Sequence, residues 1–149
     1  MVRPASEADV ADVAGLLIAF RDWAGYDGPS DESFHSGVRR LIDDPNTEYL
    51  LAGDPPAAVC QLRFRYGLWL EAEDCLLEDL YVGDAARGQG LGRELVAAAL
   101  DRARSRGCRR VELDVNQGNA AALALYESMG FTSWVDSFGG HNLFMRRRL

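Results

Sequence analysis

The stretch Leu80-Tyr81-Val82-Gly83-Asp84-Ala85-Ala86-Arg87-Gly88-Gln89-Gly90-Leu91-Gly92-Arg93-Glu94-Leu95 constrains the fold more than any other part of the chain. An apolar run ends in it, a glycine-rich turn follows, and a helical pattern begins at once, so a strand must feed directly into a helix. Such a junction gathers the unpaired N–H groups of a first helical turn at one point. There the positive end of the helix dipole makes an anion site. Glycine at 88, 90 and 92 removes the side chains that would hold a phosphate away from the main chain. Arg87 adds a charge-assisted donor beside the turn, and the anion it suits is a pyrophosphate. The alternative is a turn that only closes a strand onto a helix.

Two common phosphate loops are excluded by spacing. No Gly-Lys-Ser/Thr follows the glycines, and Arg93 stands where a dinucleotide fingerprint needs its third glycine. What remains is Arg-x-x-Gly-x-Gly, formed by Arg87, Gly90 and Gly92. Downstream, Asn119-Ala120-Ala121-Ala122-Leu123-Ala124-Leu125-Tyr126-Glu127-Ser128-Met129-Gly130-Phe131 reads as a short helix. Asn119 is its N-cap, alanines fill its body and Gly130 stops it. Asn119 and Tyr126, two turns apart, project on one face, although Leu123, Leu125 and Tyr126 also suit a packing stripe.

Both segments resemble motifs of the GNAT superfamily of N-acetyltransferases, the first its coenzyme A pyrophosphate loop, the second its Asn-x-x-Ala-x-x-Leu-Tyr-x-x-x-Gly-Phe signature. The resemblance covers essentially the whole chain. It implies one catalytic domain over residues 1–149 with an α/β (α+β) fold. A mixed, twisted sheet of about six to seven strands would splay at its centre and be flanked by four helices. It also implies acetyl-CoA as cosubstrate, held by Leu80, Tyr81 and Val82 through main chain, by Arg87, Gly88, Gln89, Gly90, Leu91, Gly92 and Arg93, and by Asn119, Ala122 and Tyr126.

The local patterns agree with that order of elements. A strand at 2–5 precedes a helix opened by Ser6 and Asp9 and carrying Val10, Val13, Leu16, Leu17 and Phe20 at helical spacing. Gly25, Gly28 and Pro29 break it, and Ser30 caps a second helix that runs to about Asp43. Strands are expected over 48–52, 57–68 and 75–82, the first two joined by Gly53-Asp54-Pro55-Pro56. The helix after the glycine loop should stop at Gly107, followed by strands at 109–115, 131–135 and 142–147, with Arg146-Arg147-Arg148 as a solvated strand end.

Acetyl transfer from a thioester to an amine needs a neutral amine, a stabilised oxyanion and a protonated leaving thiolate. The resemblance places Tyr126 near the coenzyme sulfur as general acid, a phenol of pKa around 10 being protonated at neutral pH. Glu78 is the candidate base. Strict alternation puts it in one row with Leu76, Leu80 and Val82, where burial would raise its pKa. An ion pair with Arg63 or Arg65 is the competing reading. The run Leu77-Glu78-Asp79-Leu80-Tyr81-Val82 further resembles the diamine (spermidine/spermine) acetyltransferases, with Leu80 replacing an aromatic and Gly139-Gly140-His141 offering no matching carboxylate. Trp23, Tyr26 and Asp27 are expected to border the acceptor with Glu78, or else to form a hinge with buried aromatics.

Charge and composition bound the partners. A net charge of -7 argues against nucleic acid and suits a small cationic amine, as does the acidic run Glu71, Glu73, Asp74, Glu78 and Asp79. Hydrophobic content of 48% is that of a globular domain, with no stretch long enough for a membrane. Cys60, Cys75 and Cys108 form no disulfide or metal pattern, and with only His35 and His141 no metal site is expected. The absence of a visible signal peptide points to the cytoplasm. A homodimer is compatible with this reading. Protein N-terminal or lysine acetylation, antibiotic modification and a non-catalytic acyl-CoA-binding module are the competing functions, because the acceptor site decides among them.

Overall fold

The computed structural model describes residues Met1–Leu149, which divide into two compact units, Met1–Leu113 and Asp114–Leu149. The first unit carries a mixed five-stranded sheet in the order β1-β2-β3-β4-β5, built from β1 (Val2–Pro4), β2 (Thr47–Ala52), β3 (Ala58–Gly67), β4 (Ala72–Val82) and β5 (Val111–Glu112). The first four strands run antiparallel to their neighbours, and β5 joins β4 in parallel.

Register decides which helix covers which face. Residues directly opposite one another in an antiparallel pair share a face. Tyr49, Leu51, Val59 and Tyr81 therefore face the helices α1 (Val10–Ala24) and α2 (Asp31–Ile42), forming one core with Val10, Val13, Ala14, Leu17 and Val38. Leu50, Cys60 and Leu62 point to the opposite face, where α3 (Leu91–Ser105) packs Leu95, Val96 and Ala99 against β2, β3 and β4. The helix ends follow their sequence signals. Gly25 stops α1 in the left-handed conformation at φ 75°, and the Ser30 hydroxyl accepts the Ser33 N–H to open α2.

The second unit contains α4 (Ala120–Ser128) and a separate two-stranded sheet of β6 (Trp134–Val135) and β7 (Gly140–His141). The strand expected at 131–135 is reduced to Trp134–Val135, and none forms over 142–147; the partner strand is Gly140–His141, just before that span, and the pair stands apart from the main sheet. The Gly139 N–H donates to the Val135 carbonyl across the turn between them, and the Asn142 N–H donates to the Ser133 carbonyl at the other end of the pair. Beyond it Leu143, Phe144 and Met145 are exposed and have no ladder partner. Arg146-Arg147-Arg148 therefore ends no strand. The strand expected at 109–115 is also short, since it pairs with β4 only at Cys75↔Val111 and Leu76↔Glu112.

The junction of β1 and α1 holds a charged cluster. The buried Asp9 carboxylate accepts two bonds from Arg3, at 2.7 and 2.9 Å, and one from the Ser6 N–H at 2.8 Å. The Arg3 bonds, followed by the Ser6 N–H, hold the Asp9 carboxyl far below its usual 3.8. A depressed carboxylate pKa contributes stability above the unfolded value, and that contribution drains away as pH falls below it. Asp9→Asn is accordingly expected to lower Tm at neutral pH by a few degrees. The difference from wild type should shrink below about pH 4, as followed by circular dichroism melts.

Candidate active site

β4 is the strand around which the site is built. From Leu77 onward it has no ladder partner on its β5 side, because the parallel pairing stops at Leu76. The ladder between β4 and β5 is therefore limited to two residue pairs. Main-chain groups alternate in direction along a strand, and the Gly83 N–H donates to Ala57 of the β3 side at 2.9 Å. Leu80 and Val82 consequently turn their N–H and C=O toward the open edge, while the main chain of Tyr81 faces β3. Tyr81 offers its ring instead, stacked on Phe20 at 5.4 Å between centroids.

A bulge interrupts β4 at the residue of most interest. Gln61 pairs with Asp79 and Leu62 with Leu77, so Glu78 is the extra residue with no partner across the ladder. Its carboxylate accepts a hydrogen bond from Gln61 Nε2 at 2.9 Å and lies 3.7 Å from Arg63 Nη1. The bulge shifts the alternation by one, which corrects the row read from sequence. Leu80 and Val82 lie opposite Cys60 and Ala58, on the α3 side, whereas Glu78 shares its face with Leu76, Asp79 and Tyr81. Glu78 is also exposed rather than buried, its side chain 42% accessible. Of the two arginines expected as partners, Arg63 is the one it meets; Arg65 is engaged by Asp74 and Glu112.

The same bulge brings Asp79 onto the α1 side, where strict alternation separates it from Glu78. Asp79 lines a cavity of about 130 Å³ with Leu17, Phe20, Arg21, Ala24, Tyr26 and Phe34. Sequence reasoning placed Asp79 only in an acidic run; the signal for more was its position next to Glu78, which becomes informative once the bulge is known. Of the expected acceptor residues, Tyr26 lines this cavity. Trp23 instead stacks on Phe20 and lies under the guanidinium of Arg87, 5.0 Å from Cζ to ring centroid. Asp27 sits exposed in the loop between α1 and α2. The rest of the acidic run is largely spent on arginines, Glu73 on Arg106 at 2.7 Å and Asp74 on Arg110 at 2.9 Å.

The glycine loop has the form an anion requires. Gly88 and Gly90 adopt φ of 77° and 85°, and a Cβ built on either meets no atom within 4 Å, so the space above both is open. Gly90 is the N-cap of α3 and brings no side chain to its first-turn N–H groups at Leu91, Gly92 and Arg93. Arg87 donates from Nε to the Val82 carbonyl at 3.1 Å and pairs with Asp84 at 2.9 Å. Gln89, exposed, reaches back to the Ala85 carbonyl. An open cradle of N–H donors with a guanidinium at its rim fits a pyrophosphate, and the β4 edge at Leu80 and the Val82 N–H, which no strand pairs, fits the amides of a pantetheine arm.

In the second unit, Asn119 caps α4 as expected, its side chain accepting the Ala122 N–H at 3.3 Å. Tyr126 is buried in the same helix, with its ring edge-on to Phe131 at 5.9 Å. The Tyr126 carbonyl accepts the N–H groups of Met129 and Phe131, closing the helix at Gly130. The three cysteines are free, and burial pushes the Cys75 thiol up to about 12 and raises Cys60 and Cys108 as well. Thiols so protonated are poor nucleophiles at neutral pH.

Comparison with known proteins places these features. The sequence profile of the Acetyltransferase (GNAT) family matches residues 14–131. A mycothiol acetyltransferase of Beutenbergia cavernae is 41% identical over 92 residues, which are 60% of this chain and 29% of that protein. The chain thus spans less than a third of that relative's length. The thialysine N-epsilon-acetyltransferase of Bos taurus is 28% identical over 95% of this chain and 89% of its own. A solved structure from Arthrobacter sp. FB24 that carries an acetyltransferase assignment superposes with a TM-score of 0.91 at 33% identity, covering 100% of this chain and 96% of that one.

Proposed function

The chain belongs to the Acetyltransferase (GNAT) family, and on that premise we propose that it moves an acetyl group from acetyl-CoA to the primary amine of a small cationic acceptor. The observation that carries the cosubstrate is the open loop from Arg87 to Arg93 beside an unpaired strand edge. The family profile runs across the boundary between the two units, which supports one catalytic domain over residues 1–149. No metal is part of this chemistry. Of the relatives, the bovine protein is named for acetylating an ε-amine, which supports an amine as acceptor here.

The amine nitrogen attacks the thioester carbonyl, the C–N bond forms, and the C–S bond breaks. Glu78, directly or through water, takes the proton from the acceptor's ammonium so that the neutral amine can attack. An N–H on the open edge at Leu80 or Val82 stabilises the developing oxyanion. Tyr126 gives its phenolic proton to the departing thiolate, the role that the family resemblance assigns to it.

The cavity under α1 favours a cationic, partly apolar acceptor. At about 130 Å³ and open to solvent, it has room for an alkyl segment. Asp79 is the carboxylate in its wall, and Tyr26 and Phe20 supply aromatic surface for an ammonium-bearing chain. This is also the reading the diamine resemblance of Leu77 to Val82 supports.

A panel of amines offered with acetyl-CoA, read by thiol release, tests the acceptor. Diamines and polyamines are expected to turn over faster than neutral amines or peptide N-termini. Asp79→Asn should raise KM for the cationic acceptor on the order of tenfold, as the loss of a charge-assisted contact does. Glu78→Gln should lower kcat/KM while leaving acetyl-CoA affinity in place. Preference for a neutral acceptor, or an Asp79→Asn variant with unchanged KM, contradicts the polyamine reading and leaves acetyl transfer standing.

A further inference from the structure

Trp23 was expected at the acceptor, yet the structure sets it against the phosphate loop. It stands in the last turn of α1, half exposed, with its ring 5.0 Å from Arg87 Cζ. Tyr81 approaches the same guanidinium at 5.8 Å, and Phe20 stacks on both rings, at 6.0 Å from Trp23 and 5.4 Å from Tyr81. Two aromatic rings, from α1 and β4, thus form a floor beneath one arginine, joined through Phe20. The edge of that arginine is held separately, by the Val82 carbonyl through Nε and by Asp84 through Nη2.

We propose that Trp23 is a positioning residue for Arg87, holding its guanidinium on the aromatic floor so that its remaining donors meet the pyrophosphate. The inference rests on the acetyl-CoA reading above. Its physical basis is the cost of ordering a long side chain. A free arginine loses rotamer freedom when it binds phosphate, and one already held over an indole has lost that freedom beforehand. The indole is the strongest of the aromatic faces for a cation, and the interaction leaves the in-plane N–H groups of the guanidinium open to an anion. Asp84 limits the arrangement, since its carboxylate competes with phosphate for the same charge. The ring floor keeps Arg87 in reach whichever anion holds its edge. α1 therefore serves both ligands, through Phe20 at the acceptor cavity and through Trp23 at the cosubstrate loop.

Titration calorimetry with coenzyme A on the full chain tests this without turnover. Trp23→Ala is expected to weaken coenzyme A binding about 3- to 10-fold, the range of a partly exposed cation–π contact. Trp23→Phe should recover most of that loss, whereas Trp23→Leu, which keeps apolar bulk on Phe20 but offers no ring face, should behave like Trp23→Ala. Arg87→Ala should weaken binding more, and adding Trp23→Ala to it should change nothing further, because the tryptophan acts only through the arginine. Losses that multiply in the double variant, a Trp23→Ala protein within twofold of wild type, or a Trp23→Leu protein that binds like wild type would each overturn the inference. A wild-type protein that does not bind coenzyme A removes the acetyl-CoA reading itself, a result distinct from any of these.

Discussion

Replacing Gly90 with valine is expected to weaken acetyl-CoA binding by at least about a hundredfold, the loss of roughly 3 kcal/mol. Gly90 sits at φ 85° with open space where its Cβ would be, at the point from which α3 starts. A β-branched side chain there fills the room through which a phosphate reaches the N–H groups of the first helical turn. The substitution also strains the backbone, at about 1–2 kcal/mol for an L-residue in the left-handed region. That cost lowers Tm by a few degrees in a domain of this size but does not unfold it. The two effects separate in one experiment. The apo Tm of Gly90→Val reports the strain, and the missing rise on adding acetyl-CoA reports the blocked site. A variant that melts near wild type and still shows the full ligand shift would place the pyrophosphate elsewhere.

Tyr126→Phe is expected to reduce kcat by about 10- to 10³-fold with acetyl-CoA affinity preserved. The ring is buried in α4 and packed edge-on against Phe131, and phenylalanine keeps that packing while deleting the hydroxyl. The variant therefore tests the proton and not the fold. Water can take over part of the proton delivery, which sets the lower end of the range. The measurement is a pre-steady-state or viscosity-controlled rate under conditions where chemistry limits turnover, paired with a direct affinity for acetyl-CoA. An unchanged chemical rate reassigns the thiolate's proton to solvent. An equal loss in affinity and rate makes Tyr126 a binding residue instead.

The parts of this molecule that follow local rules were legible in the sequence. The helical spacing of Val10, Val13, Leu16, Leu17 and Phe20, with Ser30 and Gly25 as caps, gives α1 and α2 nearly at their observed ends. The glycines at 88 and 90 announce a main-chain turn of positive φ before α3, and the structure has one there. Asn119 reads as a cap and is one.

What was not legible depends on pairing across strands. Nothing in Leu77-Glu78-Asp79 marks the extra residue that turns Glu78 and Asp79 onto one face, because a bulge is a property of two strands and not of one. Strict alternation therefore misplaced Glu78 among Leu80 and Val82, and left Asp79 outside the site. The contact of Trp23 with Arg87 was hidden for a related reason. The position of Trp23 in the last turn of α1 is local, but Arg87 is distant in sequence, so only the fold shows that the indole lies against the glycine loop. The last strand was placed at 142–147 because Leu143, Phe144 and Met145 are apolar, but apolar character alone supplies no ladder partner, and the pairing falls instead on Gly140–His141.

Those differences concern β4 and its neighbours, whereas the glycine loop rests on backbone geometry that both sequence and structure describe alike. The most direct measurement is titration of acetyl-CoA into the wild-type protein by calorimetry, with the Gly90→Val variant alongside. The account predicts a saturable isotherm with one site per chain, an affinity on the order of micromolar, and no measurable heat of binding for the variant. Absence of binding to the wild-type protein at about millimolar acetyl-CoA, or equal binding by both proteins, would contradict it.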